Sequence, residues 1–561
     1  MPSIRTTYQP VVRTSEGPFS AAALVGVHTA VIGWDVDPAY DRKDLLGFSI
    51  RRSTIDPVTK KTVSTTYLAH YKSFETIADS RGVVVDSNKN PLQQFRWSDY
   101  TLKPERSYSY EISPVTGSPS DLTWGKPLVL DIRPSQLVEA DLGIYVNRGV
   151  TSAFSYLERF RGLKPAEVPD GAAYAWLSRG LRESLLDFID RAGQGDELHI
   201  AIYEFHDEEV ARRIKEAQTR GAKIVLIYHS PSQSQKTVKE SNHIIDITGL
   251  RSVAIPRVKT KISHNKFVVL IHNGNPRALW TGSSNFTEAG FYLQTNIGIV
   301  VNNSVEAKAF EAFFQVLKQD PACGRKKEGL TAAQDLVEDV IASSLHSGAF
   351  GDETSILFSP VRRDHVVDAA IELLKKAKSA VFVSAPFALD KRIIAALGQN
   401  DLDVIEYGLV NTTAKKKIAG LNRYYSLFFT PSRLESYMGR AWDARAFGKH
   451  KIHAKTMVID PWSRTPTVLF GSANFSEPSC RENDENSFLV RGNQRLAAIL
   501  TTEFMRMFDH YKSRSFINQI STHTAGSESY LKEDGSWSDI YFRRHEKSYK
   551  FRDRTVFAGK P

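Results

Sequence analysis

Cysteine is nearly absent: Cys323 and Cys480 are the only two in 561 residues. That excludes a disulfide framework and any cysteine-rich metal site, and it fits a reducing compartment. There is no stretch of about 18 apolar residues, the length a membrane-spanning helix needs. The N-terminus, "MPSIRTTYQPVVRTSEG", has no apolar segment behind a basic start, so no secretory signal is read there and the expected location is cytoplasmic. An excess of acidic charge is missing too. With 73 Lys and Arg against 63 Asp and Glu the chain carries a formal +10, which favours a polyanionic partner, nucleic acid or an anionic lipid surface, without choosing between them. One core does not suffice for this length, and about three or four compact units are expected.

Residues 20–133 hold short β-branched and aromatic runs ("TAVIGWDV", "LLGFSIRRS", "SYSYEISPV", "KPLVLDI") separated by turn residues, the pattern of an all-β sandwich. Trp34 behind its apolar run, together with "FRWSDYTLKPERSYSYEI", resembles a fibronectin type III-like module, and no catalytic constellation stands in it. From about residue 140, helices such as "HDEEVARRIKEAQTRG" alternate with strands such as "ELHIAIYEF" and "AKIVLIYH". Such alternation implies a parallel sheet. The same texture returns in "DHVVDAAIELLKKAKS", "AVFVSAPF" and "DLDVIEYGLV". The expected fold is multidomain: an all-β sandwich over 1–135, two pseudo-symmetric α/β lobes over 140–325 and 330–512, and a C-terminal extension over 513–561. The aromatics of that extension point to packing rather than to a nucleic-acid arm.

Two segments carry the chemistry. In "SHNKFVVLIHNGNPRALWTGSSNFT", His264 and Lys266 stand two apart, so on an extended strand both point to one face. An apolar run follows, then Gly282, Ser283 and Asn285. "HAKTMVIDPWSRTPTVLFGSANFS" repeats the arrangement with His453, Lys455, Gly471, Ser472 and Asn474. Gly282 lies 16 positions beyond Lys266, and Gly471 lies 16 beyond Lys455. Other His-x-Lys triplets, at His70, His510 and His545, have no such run and turn behind them and read as structural or surface. An imidazole, an ammonium, and hydroxyl and amide donors converging on one point suit a phosphate group.

This repeated His-x-Lys-x4-Asp then Gly-Ser-x-Asn pattern resembles that of the phospholipase D superfamily. "WLSRGLRESLLDFIDRA", "LWTGSSNFTEAG" and "FGSANFSEPSCRENDENSFLVRG" are similar to a bacterial phospholipase D-like subgroup, over about residues 140–512. The resemblance implies lobes of phospholipase D type sharing one site, and two displacement steps through a phosphohistidine. One of His264 and His453 would attack phosphorus, and the other would protonate the leaving oxygen and then activate water or an alcohol. Lys266, Lys455, Asn285 and Asn474 would hold the phosphoryl oxygens, with Ser283 and Ser472 shaping the turns or donating from them. No metal and no cofactor is called for. The supporting acids are unequal between copies: Asp460 stands five residues after Lys455, but Ile271 stands five after Lys266. Glu485 is expected beside His453, with Thr295 at the corresponding place in the first copy. On that placement His264 enters neutral as the nucleophile and His453 as the acid, although Glu485 would also stabilise a phosphorylated His453.

Phospholipid is the favoured substrate, with peripheral membrane contact. A metal-independent nuclease and a catalytically weak binding protein are the alternatives. The basic and aromatic stretch 411–451 is a candidate substrate-facing wall; alternatively its Tyr424, Phe428 and Phe429 are core. His206, His272 and His450 have no counterparts in the opposite copy and read as surface or supporting residues.

Overall fold

The computed structural model describes residues 7–70, 72–76, 84–149, 154–161, 163–232, 235–323, 332–343, 348–351, 353–399, 403–411, 426–430, 452–520, 530–544 and 548–560. The N-terminal part folds into two antiparallel sheets. One contains Val11–Glu16, Phe19–Val25, Ala30–Val36 and Arg96–Asp99; the other is built around Leu45–Ile55 and Ser107–Ser118. Trp34, Phe48, Phe95, Tyr110 and Leu130 share the core of this part, and Trp537 and Tyr541 from the C-terminal stretch belong to it as well. The Trp537 ring lies 5.3 Å from that of Phe95, and its indole N–H donates to the Leu45 carbonyl at 2.7 Å. That burial with a satisfied polar tip is what a core tryptophan requires.

The strands that follow are β1 (Val138–Glu139), β2 (Leu142–Val146), β3 (Asp196–Ile202), β4 (Lys223–His229), β5 (Ala254–Arg257), β6 (Ile262–Ser263), β7 (Lys266–His272), β8 (Asn275–Gly282), β9 (Ile297–Val301), β10 (Thr354–Ser359), β11 (Ala380–Ala385), β12 (Ile405–Val410), β13 (Ser426–Phe429), β14 (Lys455–Ile459), β15 (Thr467–Gly471) and β16 (Asn483–Arg491). One sheet runs β1-β2-β9-β8-β7-β3-β4-β5. The other runs β16-β15-β14-β11-β12-β13, with β10 and β6 both paired to β16. The strands carrying the two lysines, β7 and β14, therefore occupy the same place in their sheets, each between the same kinds of neighbours.

The expected parallel sheet is corrected to a mixed one: within each lobe β3-β4-β5 and β11-β12-β13 pair in parallel and the other pairs are antiparallel, while β6 adds a short parallel pair to β16. Crossover helices cause the parallel pairs, α1 (Glu208–Thr219) between β3 and β4 and α2 (Lys236–Ile247) between β4 and β5. β7 instead turns directly into β8 through Asn273 and Gly274, both at positive φ. A connection that tight joins only antiparallel strands. In α1 the Asp207 side chain caps the start by accepting from the Val210 N–H at 3.0 Å, and Val210, Ala211, Ile214 and Ala217 form the buried stripe.

Helix α3 (Ser304–Lys318) joins the sheets. Its Phe310 ring lies 5.1 Å from Phe267 of β7 and 5.6 Å from Phe488 of β16, and its Phe313 lies 4.4 Å from Phe358 of β10. Each such ring contributes about 1.5–3 kcal/mol by leaving water, so the two sheets are held as one body. Backbone pairing adds to this, because β6 extends the second sheet by running parallel to β16. At the end of β5, Arg257 meets Asp484 of β16 at 3.1 Å, both side chains fully buried. Among the described residues no helix is long and apolar enough to cross a membrane. Of the stretch 411–451, residues 412–425 and 431–451, with Tyr424 and His450, lie outside the described residues. Phe428 is buried and the Phe429 ring sits 5.0 Å from Phe508, so these two are core.

Candidate active site

Each motif histidine sits where one lobe's strand touches the other lobe. The His264 N–H donates to the Asp484 carbonyl at 2.9 Å, continuing the β6–β16 pairing. Reciprocally, Thr295 bridges Ile452, and the Ala454 N–H donates to the Thr295 carbonyl at 2.7 Å. His264, Lys266, His453 and Lys455 are all buried. Each lysine bends back onto its histidine: Lys266 Nζ donates to the His264 carbonyl at 2.5 Å, and Lys455 Nζ to the His453 carbonyl at 2.8 Å.

The side-chain partners of the histidines cross over. His264 Nδ1 lies 2.7 Å from Glu485 Oε2, and His453 Nδ1 lies 2.8 Å from Asn296 Oδ1. This corrects the expectation that Glu485 attends His453. It also corrects the pairing of Glu485 with Thr295. Ser472 donates to Glu485 at 2.7 Å, and its hydroxyl accepts from the Asn486 N–H. Ser283 donates to Asn296 at 2.8 Å, and its hydroxyl accepts from the Ile297 N–H. Asn296 is thus the counterpart of Glu485, each 14 positions beyond its glycine. Thr295 serves the backbone instead, its hydroxyl accepting from the His453 N–H at 3.3 Å.

These contacts fix the tautomers. Asn296 Nδ2 donates to the Gly290 carbonyl at 2.8 Å, so its oxygen faces His453 and accepts the Nδ1 proton. A carboxylate does the same for His264. In both rings Nε2 is then the nitrogen with the lone pair, and that of His453 has Lys455 Nζ at 3.3 Å. Burial, with the two nearby ammonium groups adding to it, holds both imidazoles well below their ordinary range, so both are neutral in the free protein. Burial also pushes Lys266 down to about 7 and Lys455 well below its ordinary value, and pushes the Glu485 carboxyl up to about 7 against the opposing pull of Lys266. Such a site, short of negative charge for its cations, is prepared for an anion.

The serines are committed to Glu485 and Asn296, which leaves them shaping the turns rather than donating to a ligand. The side-chain oxygens of Asn285 and Asn474 are buried and without a hydrogen-bond partner among the described residues. Asn285 Nδ2 donates to the carboxylate of Glu204, a residue the motif reasoning missed because it lies beyond the end of β3, outside either repeat. Tyr203 and His229 were missed for the same reason. The Tyr203 ring lies 5.1 Å from His264 and 4.9 Å from His229. Asp460 does not join the group. At the far end of β14, about 16 Å from Lys455 along an extended strand, it accepts from the backbone N–H groups of Lys378, Ser379 and Ala380 at 3.0, 2.8 and 2.9 Å. It clamps the start of β11, a contact that Ile271 at the corresponding place in the first lobe has no polar atom to make. His272 is exposed and paired with Asp196, and His206 bonds to Thr237 at 3.2 Å. Among the described residues no three His, Cys, Asp or Glu side chains cluster as a metal site.

Residues 185–318 and 370–508 each match a family profile described as cardiolipin synthase, PLD-like domain. Both halves of the crossed site fall inside these matches. No curated protein sequence matches the chain. Solved structures similar to it include a phosphatidylserine synthase from Haemophilus influenzae, 13% identical over 59% of this chain and 85% of that one, with a TM-score of 0.40. The phospholipase D family member Nuc from Salmonella typhimurium is 22% identical over 25% of this chain and 87% of that one, with a TM-score of 0.21. Yeast tyrosyl-DNA phosphodiesterase is 11% identical over 55% of this chain and 85% of that one, with a TM-score of 0.32.

Proposed function

Because the chain belongs to the phospholipase D superfamily and is a phosphodiesterase-type enzyme, we propose that it cleaves a phosphodiester at one site shared by two lobes, 140–325 and 330–512, with phospholipid as the favoured substrate. The observation that carries this reading is the crossed pairing of His264 with Glu485 and of His453 with Asn296. In the first step, after His453 Nε2 has taken up a proton from solvent as the diester anion binds, His264 Nε2 attacks phosphorus, the bond to the leaving oxygen breaks, and His453 gives that oxygen its Nε2 proton. In the second, water attacks the phosphohistidine, His453 takes the water's proton, and the nitrogen–phosphorus bond breaks to restore His264.

The nucleophile assignment keeps His264 but changes its reason. A phosphorylated imidazole is cationic, and the Glu485 carboxylate 2.7 Å from Nδ1 stabilises that charge as it forms. Neutral Asn296 leaves His453 free to cycle its proton, which the incoming diester anion favours. Lys266 and Lys455 neutralise the phosphoryl oxygens, with Asn285 and Asn474 beside them.

Phospholipid is favoured because the matching profile is named for a lipid synthase, and such a substrate requires peripheral membrane contact. A metal-independent nuclease is the second reading, with which the net charge of +10 is equally compatible. Purified protein should be assayed side by side on phospholipid vesicles and on single- and double-stranded nucleic acid with EDTA present, alongside His264→Ala and His453→Ala. Head-group release by the wild type and its loss in both variants is the expected result. Nuclease activity without lipid cleavage would transfer the argument to the second reading, and no turnover of any diester would overturn both.

A further inference from the structure

Glu204 is a carboxylate in a site otherwise built to hold an anion. The register places it: Ile202 of β3 pairs with Lys266, and two residues on the chain reaches Glu204, whose carbonyl accepts from the Phe286 N–H at 3.1 Å. Its side chain takes the amide proton of Asn285 through Oε2 and forms no ion pair among the described residues. It is half-buried, and its one side-chain hydrogen bond among the described residues involves Oε2, not the second oxygen. Its negative charge reaches both site cations, Lys266 and Lys455. Tyr203 beside it presents a ring 5.2 Å from Lys266 Nζ.

Among the described residues no carboxylate stands at the corresponding place in the second lobe. Ser384 pairs with Thr456 as Ala201 pairs with Phe267, so the counterpart of Glu204 is Phe387, 44% exposed. A negative charge at this point works against the diester anion, and holding the Asn285 amide would need only a neutral acceptor. A charge that opposes phosphate binding and is only half needed for structure is explained by a donor on the ligand.

We propose that Glu204 determines specificity, accepting a hydrogen bond from an N–H or O–H donor on one alcohol arm of the diester, as an ethanolamine or glycerol arm would supply. This rests on the phosphodiesterase reading. Four p-nitrophenyl phosphodiesters, with ethanolamine, glycerol, choline and ethyl as the second alcohol, separate the sources, because choline is cationic but has no N–H.

The wild type should favour the ethanolamine and glycerol diesters over ethyl by about tenfold in kcat/KM, the scale of one charge-assisted hydrogen bond, with choline weaker than ethanolamine. Glu204→Gln should lose the ethanolamine preference while retaining part of the glycerol preference, and Glu204→Ala should lose both. A uniform fall on all four substrates, or an unchanged ratio, would overturn the proposal and leave Glu204 as a positioning residue for Asn285. Affinities of the wild type and Glu204→Gln for O-phosphoethanolamine and ethyl phosphate, by calorimetry, decide it without turnover. An equal change for both ligands, or no wild-type preference, counts against Glu204 whether or not the diesters are cleaved.

Discussion

Replacing Glu485 by Gln should lower kcat about a hundredfold while leaving the fold intact. Glu485 is fully buried, with its Oε2 2.7 Å from His264 Nδ1. When His264 takes a phosphoryl group its ring becomes cationic, and at roughly 4 Å between charge centres and an effective dielectric near 20 the carboxylate stabilises it by about 4 kcal/mol. Gln keeps a neutral acceptor worth about 1 kcal/mol, so about 3 kcal/mol is lost, or about two orders of magnitude in rate. The pH profile gives a second readout. Burial raises the Glu485 carboxyl to about 7 and lowers the Lys266 ammonium to about 7. Below that pH the carboxyl is protonated and its stabilisation of the cation is lost; above it Lys266 loses the charge that receives phosphate. The wild type should therefore show a narrow bell in kcat/KM centred near neutrality, and Glu485→Gln should keep the alkaline limb and lose the acid one. The assay is steady-state hydrolysis of bis(p-nitrophenyl) phosphate across pH. A variant within about threefold of wild type, or one that retains the acid limb, would refute the reasoning.

Asn296→Ala removes the acceptor that fixes the His453 tautomer, so general-acid catalysis should suffer most where the leaving group is poor. A loss of about 10–30-fold on alkyl diesters and about threefold on p-nitrophenyl diesters is expected; equal losses would show that Asn296 does not act through proton delivery. Asp460→Ala strips three backbone N–H groups of their acceptor and should lower stability by about 2 kcal/mol in urea titration, with kcat per folded molecule unchanged. A large loss of kcat at unaltered stability would return Asp460 to the site.

The strand period made the two His-Lys pairs legible, because alternation alone puts His264 with Lys266 and His453 with Lys455, and the identical distance to Gly282 and Gly471 tied each pair to its turn. The partners of the histidines were not legible in the same way. Which histidine Glu485 serves depends on β6 lying against β16, a contact between residues 221 positions apart, and no local pattern encodes it. Counting 14 positions from each glycine pairs Glu485 with Asn296, one residue beyond Thr295. Asp460 matched a motif letter yet faces the opposite end of its strand, where it satisfies backbone. The sheets read as parallel because their helical crossovers are conspicuous in sequence, whereas the hairpin at Asn273 and Gly274 occupies two residues. Glu204, alone beyond a strand end, matched no repeat.

The central claim is that His264 carries the phosphoryl group. Rapid mixing with a phosphorus-32-labelled diester, alkaline quench and peptide mapping under conditions that preserve phosphohistidine test it directly. The account predicts label on the peptide containing His264, with more accumulating in Asn296→Ala, where activation of water by His453 is impaired. Label on the peptide containing His453 would contradict it.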